Sequence, residues 1–183
     1  GVAEHKATLE MLARSYPPTW LLLAELWDEL RLSGWEEDSK SALRSYLETA
    51  VGLDAKDGWE RLRSLCGRTG DATGELAALV ELACRSDASI AETSDAANAI
   101  NNLLRVSVVQ PEKEKSLRKV AQIFDRRLSS VKRPDADAVS RLCWLYLQVH
   151  EEETARRWVE RALFVDSDNV HIRKLARKLG VAL

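Results

Sequence analysis

The feature that most constrains this chain is a helical spacing of apolar residues along nearly its whole length, broken at short intervals by turn-forming residues. Residues that favour strands never cluster in alternation with polar ones. Each break is a cluster of Gly, Pro, Asp or Ser, which end helices and form turns. The predicted breaks lie at Tyr16–Pro18, Leu32–Gly34, Asp54–Gly58, Gly67–Gly74, Ser86–Ser89, Gln110–Pro111, Lys132–Pro134, His150 and Ser167–Asp168. About nine or ten helices of roughly 10–18 residues remain between them, so we predict an all-α fold.

The composition is that of a globular protein. The 183 residues are 45% hydrophobic and 31% charged. The longest apolar stretch, Trp20–Ala24, is far shorter than the ~20 residues of a membrane-spanning helix, so we predict no membrane partner. No charged-then-apolar leader indicates secretion. The chain begins at Gly1 without a methionine, and the helical pattern has begun by Ala3. Both observations favour a fragment of a longer protein.

Three cysteines, Cys66, Cys84 and Cys143, lie far apart in the sequence and form no CxxC pair. An odd number of cysteines without a framework predicts reduced thiols and a cytoplasmic location. We expect each of them to be a small apolar residue packed between helices.

Residues 136–169 combine small and large residues at a spacing that suits two closely packed helices. Short connections favour antiparallel neighbours, so we expect the helices of this chain to pair into hairpins. Small residues allow two helices to approach, while larger ones fill the space around the contact. The small residues are Cys143, Ala155 and Ala162, and the larger ones are Leu142, Tyr146 and Val159.

This segment resembles the tetratricopeptide repeat, a helical hairpin of about 34 residues. The residues at the family's Trp, Leu, small and Tyr positions are Val139, Leu142, Cys143 and Tyr146, and Ser167 stands at its proline position. The approximate repeats cover residues 17–53, 56–88, 90–131 and 136–169, and residues 169–179 resemble a closing helix. The last of the four repeats matches the family most tightly.

The resemblance implies one domain over residues 1–183. Its fold would be a right-handed superhelical α-solenoid of antiparallel helix pairs, with about four pairs plus terminal helices. In this family the first helices of the pairs line a concave groove, which commonly binds extended peptides or partner helices. The implied function is a non-catalytic scaffold for protein–protein interaction. Its partner would be another protein or another domain of the same protein.

The helix predicted around residues 91–107 carries the most suggestive candidate for such binding. Asn98, Asn101 and Arg105 are spaced to line one stripe of this helix, with Asn102 beside it. The opposing apolar stripe consists of Ala97, Ile100 and Leu104. Asparagines cost helix stability, but their amides both donate and accept hydrogen bonds, and Arg105 offers a fork for a carboxylate. The alternative is that the amides satisfy neighbouring turns or face water.

A second candidate lies on the first helix of the best-matching repeat. Some members of the family have there a clamp of Lys and Asn that binds the two carboxylates of a chaperone's C-terminus. This chain has Asp137, Ser140, Trp144 and Gln148 on that face, which argues against such a clamp. Trp144 is a candidate aromatic anchor for a partner, with Gln148 further along the same face. The alternative for Trp144 is packing against the next repeat.

No sequence motif points to an enzyme, a cofactor or a metal. The glycine-rich segment Gly67–Gly74 lacks the Lys-Ser/Thr ending of a phosphate loop and follows no strand. The segment His150–Glu153 lacks the second histidine of a metal pair. We therefore predict no catalytic activity and no bound small-molecule substrate.

The charge of the chain is unevenly spread. Residues 1–92 hold 10 Lys/Arg against 17 Asp/Glu, whereas residues 93–183 hold 17 against 12. Such a lopsided field can steer and orient a charged partner, and the alternative is that the asymmetry is an accident of which faces are solvated. A second hypothesis is a regulatory arm inside a larger protein, such as a signalling ATPase or another effector, and the fragment-like start of the chain favours it. The third is nucleic-acid binding through the basic half. The net charge of −2 and the lack of a nucleic-acid motif disfavour it.

Overall fold

The structure is a computed structural model that describes residues 2–30, 34–106 and 111–183. These residues form ten α-helices and the turns between them. The helices are α1 (Val2–Ser15), α2 (Thr19–Leu30), α3 (Trp35–Leu47), α4 (Gly52–Arg68), α5 (Ala72–Cys84), α6 (Ile90–Val106), α7 (Pro111–Ser129), α8 (Ala136–Gln148), α9 (Glu152–Val165) and α10 (Val170–Leu179). The predicted all-α class is confirmed for these residues.

Most helix ends follow from the residues that were expected to break the chain. Pro17 and Pro18 lie between α1 and α2, and Pro111 opens α7, where its missing N–H costs nothing. The α10 helix ends at Leu179. The next residue, Gly180, has a φ of 67°, a left-handed conformation that glycine adopts without strain. The predicted breaks at Leu32–Gly34 and Gln110–Pro111 include residues 32, 33 and 110, which lie outside the described residues. Residue 107, the last residue of the helix predicted around residues 91–107, also lies outside them.

The break predicted at Asp54–Gly58 is wrong. The α4 helix begins at Gly52 and runs through this segment, so the predicted repeat boundary at residue 56 falls inside a helix. Gly58 is buried, and a Cβ there would lie 2.8 Å from Leu47 Cδ2, so this glycine permits close packing of α4 on α3. Asp54 lies in the first turn of α4, where the helix dipole favours a carboxylate.

The described residues group into two compact units, residues 1–78 and residues 79–183. In the first unit, α3 packs against α2 and α4, and α1 packs against α2. Its core contains Leu23, Trp27, Leu43, Leu62, Leu65 and Cys66. The ring of Trp27 meets that of Trp35 edge-on, with centroids 4.9 Å apart.

A buried lysine ties α3 to the start of α5 within this unit. Lys40 is only 1% exposed, and its Nζ lies 2.6 Å from Glu37 Oε1 and 3.5 Å from Asp71 Oδ2. Burial acts to lower the pKa of Lys40, but the hydrogen bond and charge of Glu37 outweigh it, so the pKa is raised. Asp71 also accepts the backbone N–H of Gly74 at 2.8 Å, which caps α5. Buried Cys66 beside it has its pKa raised to about 11, mainly by desolvation.

In the second unit, α8 is the central helix, packed against α6, α7, α9 and α10. The residues singled out in the best-matching repeat are buried, as their expected packing role requires: Val139, Leu142, Cys143, Tyr146, Ala155, Val159 and Ala162. Burial raises the pKa of the Cys143 thiol well above its ordinary value, so this cysteine is neutral and acts as a small apolar residue.

Candidate functional site

The first part of the candidate site is the solvent face of α6. This helix starts with a reciprocal cap, in which Ser89 Oγ accepts the N–H of Glu92 at 3.1 Å and the Glu92 carboxylate accepts the N–H of Ser89 at 2.8 Å. Asn98, Asn102 and Arg105 are all exposed on this face. None of these three side chains has a partner among the described residues, so their donors and acceptors are available to a ligand.

Asn101 does not belong to that face. It is only 7% exposed, and its Nδ2 donates to the backbone carbonyl of Arg141 in α8 at 3.0 Å. The predicted grouping of Asn98, Asn101 and Arg105 on one open stripe is therefore corrected: the open stripe has Asn102 in place of Asn101. The physical reason is that Asn101 is four residues from Ala97 and three from Leu104, so it borders the buried side of α6. Its Oδ1 is buried without a partner among the described residues.

The second part of the site is one stripe of α8. The helix is capped by Asp135, whose carboxylate accepts the N–H of Ala138 at 2.9 Å. Arg141, Trp144 and Gln148 then follow at spacings of three and four residues and are all partly exposed. Lys178 of α10 lies with its Nζ 5.9 Å from the centroid of the Trp144 ring, so one side of this tryptophan is contacted by a cation.

Arg141 joins the two helices at the surface. Its Nη1 donates to Ser94 Oγ at 2.9 Å and to Asp95 Oδ1 at 3.2 Å, both on α6. Together with the bond from Asn101, this links α6 to α8 at Arg141. We call the resulting face the α6–α8 surface, formed by Asp95, Asn98, Asn102, Arg105, Arg141, Trp144 and Gln148. Of the six residues predicted from sequence, Asn101 is buried and the other five are exposed or partly exposed.

Sequence reasoning missed the role of Arg141 and the role of the Asp125 carboxylate on α7. Asp125 of α7 accepts hydrogen bonds on Oδ2 from Tyr146 Oη at 2.5 Å and from Trp158 Nε1 at 2.8 Å. Burial, followed by the hydrogen bond to Asp125, raises the pKa of Tyr146 far above its ordinary value. Asp125 therefore holds α7, α8 and α9 together. No local sequence pattern signals this, because its two donors lie 21 and 33 residues away.

The basic residues of the second half are largely occupied within the fold. Arg127 is half-buried and donates to the carbonyls of Ala83 at 2.8 Å and Arg85 at 2.5 Å, and to the Thr93 hydroxyl. Burial lowers its pKa. Arg161 lies over the ring of Trp158, 5.0 Å from its centroid. Arg156 and Arg157 both pair with Glu153, and Arg173 pairs with Asp168.

Across residues 2–30, 34–106 and 111–183, no group of three or more His, Cys, Asp and Glu side chains is arranged to hold a metal ion. In the same ranges, no helix combines the length and apolarity needed to cross a membrane.

Comparison with known proteins gives no family for this chain. No protein-family model matches the sequence, and none of the curated proteins matches it significantly. The tetratricopeptide resemblance therefore depends on the residues of this sequence alone.

Proposed function

We propose that this chain is a non-catalytic protein-interaction module, and that its α6–α8 surface binds a peptide or helix of a partner polypeptide. The observation that carries the proposal is the set of free polar groups on this surface. Asn98, Asn102 and Arg105 present amide and guanidinium groups without partners among the described residues, and the ring of Trp144 on α8 is partly exposed. Amides satisfy the backbone of a bound segment, and Trp and Arg are the residues most enriched at binding hot spots.

The rigidity of the surface supports the same proposal. Binding groups that are held in place before the partner arrives lose less conformational entropy on binding. Here the Asn101 and Arg141 bonds join α6 to α8, and Asp125 ties α8 to α7 and α9. The exposed side chains therefore project from helices whose contact is fixed by buried or half-buried hydrogen bonds.

We further propose that the helices of each unit pair as antiparallel hairpins of the tetratricopeptide type, with a right-handed superhelical turn between successive pairs. The burial of the small residues Cys143, Ala155 and Ala162 at the contact of α8 with α9 supports this pairing. We also infer a reducing, cytoplasm-like compartment. The three cysteines of the described residues are unpaired, and Cys66 and Cys143 are fully buried as thiols.

The test compares three versions of the chain as bait for proteins of a cell lysate, followed by affinity measurements with the purified partner. The first is the native sequence and the second is Asn98→Ala/Asn102→Ala/Arg105→Ala. The third is a matched control, Lys115→Ala/Lys119→Ala/Gln122→Ala, which removes three exposed side chains from α7 of the same unit. Circular dichroism establishes that all three are equally folded.

We expect the α6 triple variant to bind the partner at least about tenfold more weakly, while the α7 control stays within about twofold of the native affinity. Equal loss in both variants, or no loss in the α6 variant, would contradict the proposal. Capture of no specific protein by any bait would instead favour the regulatory-arm alternative, in which the partner is another domain of the same protein.

Nucleic-acid binding has less support than either protein-binding hypothesis. Arg127, Arg156, Arg157, Arg161 and Arg173 are engaged by carbonyls, carboxylates or an aromatic ring of the chain itself. These cations are therefore partly neutralised before any phosphate arrives. A measured affinity for nucleic acid that falls steeply with salt concentration would reverse this ranking.

A further inference from the structure

The exposed side of α10 concentrates positive charge that the fold leaves largely unpaired. This helix of ten residues has four cations and no acidic residue. Among the described residues, the one carboxylate that pairs with a cation of α10 is that of Asp168, 3.6 Å from Arg173. The other three cations are exposed, and we call them the α10 basic patch: Lys174, Arg177 and Lys178. The opposite side of the helix is buried, so its orientation is fixed by Ile172, Leu175, Ala176 and Leu179.

The cations of the α10 basic patch are close neighbours on the helix. Lys174 is three residues from Arg177 and four from Lys178, and side chains at these spacings have Cβ atoms about 5–6 Å apart. Like charges at these spacings repel each other. The helix dipole favours Arg177 and Lys178 in the last turn, but Lys174 lies one turn earlier. Neither Lys174 nor Arg177 has a side-chain partner among the described residues, so both are available to an anion that relieves the repulsion.

The α10 basic patch adjoins the α6–α8 surface at Trp144. The Nζ of Lys178 lies 5.9 Å from the centroid of the Trp144 ring, and this tryptophan is partly exposed. The α10 helix packs directly against α8, so the contact between the two side chains lies over a fixed helix pair. A segment that binds on Trp144 therefore reaches the cations of the patch.

The charge along α8 and α10 changes sign from one end of the pair to the other. Near the start of both helices, Asn169 Nδ2 lies 3.3 Å from Asp137 Oδ1, whereas Lys178 contacts Trp144 near their ends. The two helices therefore run in the same direction. Asp137 and Asp168 are exposed at the starting end, so carboxylates lie at one end of the pair and the basic patch lies at the other.

This reversal of charge favours a short acidic segment over an extended polyanion. Asn169 and Lys178 are nine residues apart, which is about 14 Å along the axis of α10. Duplex DNA carries about one negative charge per 1.7 Å, and an anionic membrane is charged over its whole surface. Either of them would also meet the carboxylates at the starting end of the helices. A polypeptide can place its acidic side chains at the basic patch alone and an apolar side chain on Trp144.

We propose that the α10 basic patch and Trp144 together bind an acidic segment of the partner polypeptide. One carboxylate pairs with Lys174, a second pairs with Arg177, and an adjacent apolar side chain packs on the exposed part of the Trp144 ring. The carboxylates are those of side chains within the segment, so no free C-terminus is required. This inference rests on the proposed function, because Trp144 belongs to the α6–α8 surface, and it adds the charge of the partner and a further helix that recognises it.

The experiment titrates the ¹⁵N-labelled 183-residue chain with the probe acetyl-Leu-Gly-Glu-Gly-Glu-Gly-amide and follows the indole N–H signal of Trp144, assigned with Trp144→Phe. Side chains two residues apart in an extended peptide point to the same side, about 7 Å from each other, which is close to the spacing of neighbours on a helix. Two control peptides replace both glutamates by glutamine or by lysine. We expect the probe to shift the Trp144 signal, the glutamine peptide to bind at least about tenfold more weakly, and the lysine peptide to cause no shift.

Variants of the chain locate the bound peptide. Lys174→Ala/Arg177→Ala is expected to weaken probe binding at least about tenfold. The matched control, Lys115→Ala/Lys119→Ala, removes two exposed cations from α7 of the same unit, so the net charge changes equally. It should leave probe affinity within about twofold. The charge reversal Lys174→Glu/Arg177→Glu is expected to lose the glutamate probe and to bind the lysine peptide, and circular dichroism establishes that every variant is folded.

Several results would overturn the inference. They are an unmoved Trp144 signal up to the solubility limit of the probe, equal affinity for the glutamine peptide, and equal loss of affinity in the two double alanine variants. Binding of phosphatidylserine vesicles or duplex DNA that requires Lys174 and Arg177, without binding of the probe, would overturn it as well and assign the patch to a polyanion.

Failure of this inference is distinguishable from failure of the proposed function. A partner whose capture is lost with Asn98→Ala/Asn102→Ala/Arg105→Ala but unchanged with Lys174→Ala/Arg177→Ala would overturn the inference and leave the proposed function. The reverse result would contradict the role of α6 in the proposed function and leave the binding of an acidic segment at the α10 basic patch.

Discussion

At the scale of single residues, the polar side chains of this protein divide into those that hold helices together and those left open to a partner. Asn101 and Asn102 are neighbours in the sequence, yet Asn101 is buried against α8 and Asn102 is exposed. Periodicity identified the apolar side of α6 but not the border residue, because a shift of about 100° in helix rotation decides burial there. Asp125 shows the same division, since it is an acidic residue that is partly exposed and nevertheless accepts hydrogen bonds from the buried residues Tyr146 and Trp158.

We expect Asp125→Ala to destabilise the second unit by about 2–4 kcal/mol, because it leaves the Tyr146 hydroxyl and the Trp158 N–H buried without an acceptor. The matched control is Ser129→Ala, which removes only the exposed bond from Ser129 Oγ to Asp125 Oδ1 and should cost at most about 0.5 kcal/mol. Urea denaturation followed by circular dichroism measures both. Equal stability of the two variants would show that Asp125 does not tie these helices together.

Asp71 is expected to make the stability of the fold depend on pH. The hydrogen bond from the Gly74 N–H is the main reason that the pKa of Asp71 lies below its ordinary value of 3.8, and the nearby Lys40 ammonium lowers it further. The ionised carboxylate therefore stabilises the fold at neutral pH, and this contribution is lost as the pH falls below about 4 and through the folded pKa.

Asp71→Asn removes this titration while keeping the shape of the side chain. We expect the variant to be less stable than the native chain at pH 7, with a difference that shrinks as the pH falls below about 4. Thermal unfolding measured across the acid range gives the comparison. A difference that stays constant down to the lowest pH would mean that the Asp71 charge contributes nothing.

At the scale of helices, the sequence predicts where most elements end and fails where long-range contacts decide. Pro17, Pro18 and Pro111 act locally through their fixed backbone, so their breaks could be read from the sequence. Gly58 was expected to end a helix, but it lies inside α4 because a neighbouring helix approaches it closely. Arg127 belongs to the basic second half of the chain, but it donates to carbonyls 42 and 44 residues away, which no local pattern reveals.

Arg127 connects α7 to the C-terminal end of α5, where carbonyl groups have no partner within the helix. We expect Arg127→Ala to cost about 2–3 kcal/mol, since it leaves these carbonyls unsatisfied. Arg126→Ala, the adjacent exposed arginine, is the control and should change stability by at most about 0.5 kcal/mol. Chemical denaturation provides the test, and equal effects of the two substitutions would place Arg127 among the solvated basic residues.

At the scale of the whole molecule, the all-α class and much of the buried core follow from periodicity, whereas the residues of the proposed binding surface follow only in part. Trp144, Gln148, Asn98, Asn102 and Arg105 could be chosen from sequence because exposed amides and aromatics at helical spacing are unusual on a solvated face. The bridge from Arg141 to α6 could not, since it depends on how α6 and α8 pack. The excess of basic residues in the second half predicted an uneven electrostatic field. Several of these cations, however, pair with carboxylates of the chain itself.

Hydroxyl-radical footprinting of the complex shows whether a partner polypeptide covers the α6–α8 surface. The chain provides its own control, because Phe164 is 94% exposed on α9, a helix that contributes no residue to the proposed surface. We predict that the partner protects Trp144 from oxidation at least about threefold more than it protects Phe164. Unchanged oxidation of Trp144 in a saturated complex would contradict the account, and protection of Phe164 instead would move the binding site to the end of α9.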